Sequence, residues 1–249
     1  MFKGAVNFRA RIKGSGLTFP LVAFYPKEPG VDKVEIEGPK GDEIHTTVHL
    51  ASVASHDDGR ALATKVNTAA LNRICFNNNI AIENARNAGD QFSPLNPQSG
   101  GHMFVSLPPL TIHTELSATL AISADKLKTE LEQASPHGED NYGLFRSARQ
   151  SVSPVEEFMH LYNILLMIYN DKQADVDSFI ISEDPTVPQT KAPPKKPGAL
   201  GKIETVYTRL RNELAHKRTG VNLENTKSEM SQRLGGLIRL TKRAIEVNP

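Results

Sequence analysis

The feature that most constrains this chain is a change of hydrophobic period near residue 140. Before it, apolar residues tend to alternate with polar ones, as in half-buried strands. After it they recur every three or four residues, as in amphipathic helices. "AVNFRARI" (5–12), "TFPLVAFY" (18–25), "KVEIEG" (33–38) and "EIHTTVHL" (43–50) read as four strands. Gly/Pro breaks such as "KEPGVD" and "GPKGDE" separate them. A helix through "ALATKVNTAALNRICF" (61–76) follows, with Asp57 or Asp58 as its cap. Residues 80–85 read as a strand, the turn-rich stretch 88–109 as a loop, 111–123 as a long strand and 124–134 as a short helix.

After "SPHGED" (135–140) the pattern is helical throughout. "SPVE" (153–156) has capping-box spacing with Pro154 at the first helical position. Val155, Phe158, Met159, Tyr162, Leu165, Leu166 and Tyr169 then follow helical spacing, and further apolar residues between them predict burial on most sides. A short helix is expected over 174–181. Residues 182–201 hold five prolines and form a loop. A helix over 202–217, the turn "RTGVNL" and a last helix opened by the capping box "TKSE" (226–229) complete the chain. Gly235–Gly236 within that last helix marks a close helix approach or a bend. The expected fold class is α+β: a β-rich sheet-and-helix domain over 1–135, then an all-α bundle over 141–249 with the Pro-rich loop inside it.

Composition narrows the function classes. The longest apolar run, "LYNILLMIY" (161–169), is too short to cross a bilayer, and no basic-apolar-small leader opens the chain. The single cysteine, Cys75, excludes an internal disulfide framework and a Cys-rich zinc site. A cytoplasmic protein without membrane contact, metal or cofactor is expected. Residues 191–249 carry 13 Lys/Arg against 5 Asp/Glu, whereas 1–190 carry 16 against 23. A basic end on an acidic body suits either a polyanion surface or complementary packing of the two parts.

"TRLRNELAHKRTG" (208–220) holds the candidate site. On one continuous helix from Lys202, Ile203, Tyr207, Leu210 and Leu214 form a core stripe, at about 100° per residue. Arg211 lies on its shoulder. Asn212 and His216, four residues apart, fall opposite the core with Arg209 beside them, so they are expected to meet and to face a ligand or partner. An Arg–His spacing of this kind arises readily by chance. Its weight comes from the Asn after the Arg and from its place on the penultimate helix.

"RNELAH" (211–216) resembles the Arg-x4–6-His motif of HEPN domains, and the organisation of residues 141–247 is similar to that superfamily. More distantly, the chain also resembles accessory methylamine-utilisation (MauJ-like) proteins. The HEPN resemblance implies a metal-independent endoribonuclease that acts as a homodimer with two motifs facing each other. It implies catalytic roles for Arg211, Asn212 and His216: His216 in proton transfer, Arg211 as phosphate clamp, Asn212 as orienting group. Arg209, Lys217 and Arg218 would attract the backbone of RNA or another polyanion. The resemblance equally implies a noncatalytic interaction or scaffold role, since many members have no demonstrated cleavage. The basic residues are not interleaved with aromatics, so base stacking is not evident.

Other constellations carry less. His45, Thr47 and His49 share one strand face, near His56, Asp57 and Asp58, but read as surface rather than as a metal site. "HDDG" (56–59) fits a helix start. "NPQSGGH" (96–102) lacks the Gly-Lys-Ser/Thr of a phosphate loop and reads as a turn. Cys75 reads as an inert buried thiol. The Gly-Ser and paired-Asp motifs of a nucleotidyltransferase are absent.

Overall fold

In β1 (Phe2–Lys13) the side chains of Val6, Phe8, Ala10 and Ile12 are buried while those between them are not. This period of two sets one face of the first unit's sheet against its core. The computed structural model describes residues 1–13, 16–40, 42–96, 104–105, 119–133, 138–194, 201–216 and 220–248. It divides into two compact units, Met1–Ser135 and Pro136–Pro249.

In the first unit β1 is followed by β2 (Gly16–Thr18), β3 (Val22–Phe24), β4 (Val31–Lys40), β5 (Glu43–Val53), α1 (His56–Asn78), β6 (Ala81–Ile82), β7 (Arg86–Pro94), β8 (Phe104–Val105), β9 (Thr119–Ala121) and α2 (Ala124–Glu132). The main sheet runs β3-β4-β5-β1-β7-β8, with β6 also on β1, and its pairs are antiparallel. β2 and β9 form a separate parallel pair. The expected strand over 18–25 is split into two, because Pro20 has no N–H to give a ladder. The expected loop over 88–109 begins instead as β7. Its turn residues serve a bulge opposite Asn7 and Phe8: Gly89 takes φ +123°, and the Asn87 Oδ1 accepts its N–H at 2.7 Å. The long strand expected over 111–123 is described only as β9.

α1 starts earlier than its apolar pattern suggests. Ser55, not Asp57 or Asp58, is the cap, and its Oγ accepts the Asp58 N–H at 3.1 Å. The two aspartates occupy the first turn, where the helix dipole favours them. The helix ends at left-handed Asn79, with the Ile80 N–H returning to the Cys75 carbonyl. Arg73 then ties α1 to α2, its Nη1 donating to the carbonyls of Leu131 and Gln133 at 2.8 Å each. These end the shorter helix where its carbonyls lack intrahelical donors.

The second unit contains α3 (Glu139–Arg149), α4 (Pro154–Ile168), α5 (Gln173–Glu183), β10 (Gln189–Lys191), β11 (Ile203–Thr205), α6 (Val206–Ala215) and α7 (Leu223–Val247). It is helical but not all-α, since β10 and β11 pair antiparallel. Residues 195–200 of the Pro-rich loop lie outside the described residues. Ser153 caps α4 as its sequence predicts, although Glu156 accepts from the Val152 N–H. α4 buries Phe158, Leu161, Tyr162, Ile164 and Leu165 on one side and leaves Met167 exposed, so it is not enclosed on most sides. Asn222 rather than Thr226 caps α7, which places Thr226 inside the helix as a buried hydroxyl.

The two glycines of α7 have different surroundings. A Cβ at Gly236 would come within 2.2 Å of the Tyr207 phenol oxygen on α6, whereas one at Gly235 would meet nothing within 4 Å. Gly236→Ala should therefore destabilise the chain by about 1–3 kcal/mol through overpacking. Gly235→Ala should stabilise it by up to about 1 kcal/mol through helix propensity. Denaturant midpoints of the two variants check this, and equal shifts of the same sign would contradict the packing described.

Candidate functional site

α6 is positioned by a buried carboxylate on α5. The Asp177 Oδ1 accepts from the Thr205 N–H at 2.9 Å, the Thr205 hydroxyl at 2.7 Å and the Thr208 hydroxyl at 2.6 Å. Thr205 is the cap of α6, with Oγ1 accepting from the Thr208 N–H at 3.4 Å. Because Thr208 spends its hydroxyl proton on Asp177, Tyr162 of α4 donates to the Thr208 Oγ1, at 2.6 Å. All four residues are buried. Burial pushes the Asp177 carboxyl above its ordinary range, against the lowering effect of these donors. Burial likewise pushes the Tyr162 phenol up, which keeps it a proton donor.

From this anchor the RNELAH residues take up their places. Arg211 donates through Nη1 to the Asn212 Oδ1 at 3.1 Å, and Asn212 donates through Nδ2 to the Glu204 Oε2 at 3.1 Å. Asn212 and Glu204 are 7% and 4% exposed. The buried Arg211 Nε has no hydrogen-bond partner among the described residues. Arg209 lies between Glu213 at 2.8 Å and Glu229 of α7 at 2.6 Å. Glu213 in turn accepts the Thr226 hydroxyl at 2.8 Å. His216 is exposed and has left the helix, with φ −129° and ψ 122°, while its N–H still reaches the Asn212 carbonyl. Lys217 and Arg218 lie outside the described residues.

The register expected for this stretch is thus corrected. Ile203 is 66% exposed on a strand, and the helix begins only at Val206. Asn212, expected opposite the core, is buried, and it does not share a helical face with His216. Side-chain bonds join Arg211 to Asn212, whereas His216 meets Asn212 only through its backbone N–H. Asp177, Glu204, Thr205 and Thr208 were not picked out from sequence. A Thr three residues before another Thr at a helix start was the available signal for the cap, whereas nothing local marks Asp177.

The remaining candidates resolve into packing. On the sheet face of β4, β5 and β1, the His49 Nε2 lies 2.8 Å from the Glu35 Oε2, and the Lys33 Nζ 2.9 Å from the Glu35 Oε1. The Thr47 hydroxyl donates to the Asn7 Oδ1 at 2.8 Å, and His45 lies 3.8 Å from Glu43. His56 sits between the rings of Phe2 and Phe92, with centroids 4.6 and 4.7 Å away. Cys75 is buried and its thiol donates to the Ile80 carbonyl. Among the described residues no group of three or more His, Cys, Asp or Glu is placed to hold a metal ion. Nor is any helix among them long and apolar enough to cross a membrane. Most of 96–102 lies outside the described residues.

The fold defines an α+β protein with an antiparallel β-rich unit and a helical C-terminal unit. Residues 141–247, within the helical unit, match the family model described as Methylamine utilization protein MauJ. No curated protein and no solved structure matches the chain.

The hydrogen bonds from Lys33, then from His49, hold the Glu35 carboxyl below its ordinary range. A carboxylate with a lowered folded value adds stability that is complete above the unfolded value of about 4.3 and is lost as pH falls through the folded value. Glu35→Gln should lower stability at pH 7 and make little difference in acid below both values. Denaturant midpoints between pH 2 and 7 (about one half-unit apart) test this; parallel curves for variant and wild type would exclude it.

Proposed function

We propose that this chain is a noncatalytic accessory protein of methylamine utilisation, with its helical unit serving as an interaction module. The match over residues 141–247 carries the pathway part of the reading. The noncatalytic part is supported by the bonding of the motif. Asn212 is buried and spends both ends of its amide on neighbours in its own unit. Arg209 is held by two carboxylates, which discounts it as a free phosphate contact.

The rival reading is a HEPN-like, metal-independent endoribonuclease acting as a homodimer on RNA. The exposure of His216 favours it, because a proton-transfer group must reach its substrate. That reading needs His216 and Arg211 brought to one phosphate, with the second motif supplied by another copy.

One experiment separates them. The gene is deleted from a host that grows on methylamine, and growth on methylamine is compared with growth on ammonium. The accessory reading predicts loss of growth on methylamine alone and full rescue by both wild type and His216→Ala. Normal growth of the deletion strain would refute the pathway assignment. Failure of His216→Ala to rescue, together with cyclic-phosphate RNA ends formed without metal by wild type only, would establish the nuclease instead.

A further inference from the structure

α4 is more apolar than its own unit covers. Beyond its first turn it reads "FMHLYNILLMI" (158–168), with no carboxylate, lysine or arginine. Phe158, Leu161, Tyr162, Ile164 and Leu165 are buried, but Met159 and Leu166 are half-buried and Met167 is 58% exposed. A helix that is apolar nearly all round ordinarily has neighbours nearly all round. Asn163, exposed, stands among the three uncovered side chains. Met159 lies four residues before it, Leu166 three after and Met167 four after, the spacings that put side chains next to one another on a helix.

The charged groups at the start of α4 are occupied within the chain. The Glu156 Oε2 accepts the Val152 N–H at 3.1 Å, and Glu157 is paired with Arg149. The exposed His160 has its Nδ1 3.1 Å from the Ser151 Oγ. The outward face around Asn163 therefore carries no formal charge. A foreign partner finds no electrostatic address on such a face, because charge complementarity is what selects partners. A second copy meets no like charge there, and a two-fold interface brings a surface against itself. An amide is also complementary to itself, with N–H donors and a carbonyl acceptor on one side chain.

We propose that Met159, Asn163, Leu166 and Met167 form a self-complementary surface through which two copies of this chain pair, with antiparallel α4 helices crossing at a two-fold axis beside Asn163. The two Asn163 amides bond to each other at the axis. Met159 and Met167, four residues to either side, pack each against the other of the partner copy, and their flexible thioethers fill the contact. This inference rests on the reading of the helical unit as an interaction module and supplies its partner. It does not depend on the methylamine assignment, which growth tests separately. It also differs from the dimer of the rival reading, which is built on the RNELAH residues.

The test is sedimentation velocity of the full chain over a concentration series. Wild type should be dimeric at about 100 µM and dissociate on dilution. Asn163→Asp sets two carboxylates against each other at the axis, and Met167→Lys sets an ammonium against the partner's Met159. Each should weaken the dimer by about tenfold or more. Both positions are exposed, so circular dichroism melts should match wild type. Ile203→Lys, at a comparably exposed apolar residue on β11, should dimerise as wild type does. A monomeric wild type at the highest concentration overturns the proposal. So does a dimer that neither α4 variant weakens, or one that Ile203→Lys weakens as much.

Discussion

The helical unit depends on a carboxylate that does not belong to the helix it positions. Asp177, on α5, takes up a backbone N–H and two hydroxyl protons at the start of α6. Helix starts leave N–H groups without intrahelical acceptors, and a buried start needs them satisfied. Thr205 satisfies one directly, and Asp177 then holds Thr205 itself. The negative charge also sits at the positive end of the helix dipole. Tyr162 of α4 donates to the Thr208 Oγ1, so the cluster links three helices. Everything further along α6, from the Arg209 bridge to the Asn212–Glu204 bond, has its place set by this start.

That arrangement changes the chemistry available to the RNELAH stretch. A helix with one solvent face would have put Asn212 outward, but α6 buries Val206, Tyr207, Thr208, Leu210, Asn212 and Glu213, which lie on most of its sides. The short β10–β11 ladder takes up Ile203–Thr205, and the helix begins only at Val206. Glu204 of that ladder covers Asn212 and accepts from its Nδ2, and the helix ends as His216 is reached. A spacing that suggests a reactive pair in sequence becomes a brace followed by an exposed histidine. Arg209 and Glu213 complete the brace by bonding to Glu229 and Thr226 of α7.

The broad fold was legible because burial writes its period into the chain. The alternation in residues 5–12 and 43–50 corresponds to β1 and β5, and the spacing from Val155 to Tyr169 to α4. The Gly235–Gly236 pair read as a close helix approach or a bend; Gly236 makes the approach, against Tyr207, and Gly235 does not. What failed to show were features decided by long-range partners. β7 looked like a loop because its Asn and Gly residues build a bulge against β1. The caps of α1 and α7 were misplaced by two to four residues, since Ser55 and Asn222 compete with equally suitable neighbours. Asp177 carried no signal, because its role depends on Thr205 and Thr208, about 30 residues away in the chain.

The most direct test of this account is hydrogen exchange across α6 in Asp177→Ala, with wild type and Asp177→Asn for comparison. Losing the shared acceptor leaves buried donors unsatisfied at a cost of about 1–3 kcal/mol, so α6 amides should exchange roughly 10–100-fold faster in Asp177→Ala. The N-terminal β-rich unit should be unaffected, and Asp177→Asn, which keeps an acceptor oxygen, should fall between the two. Unchanged protection of α6 in Asp177→Ala would show that the helix is held by other means and would contradict the account.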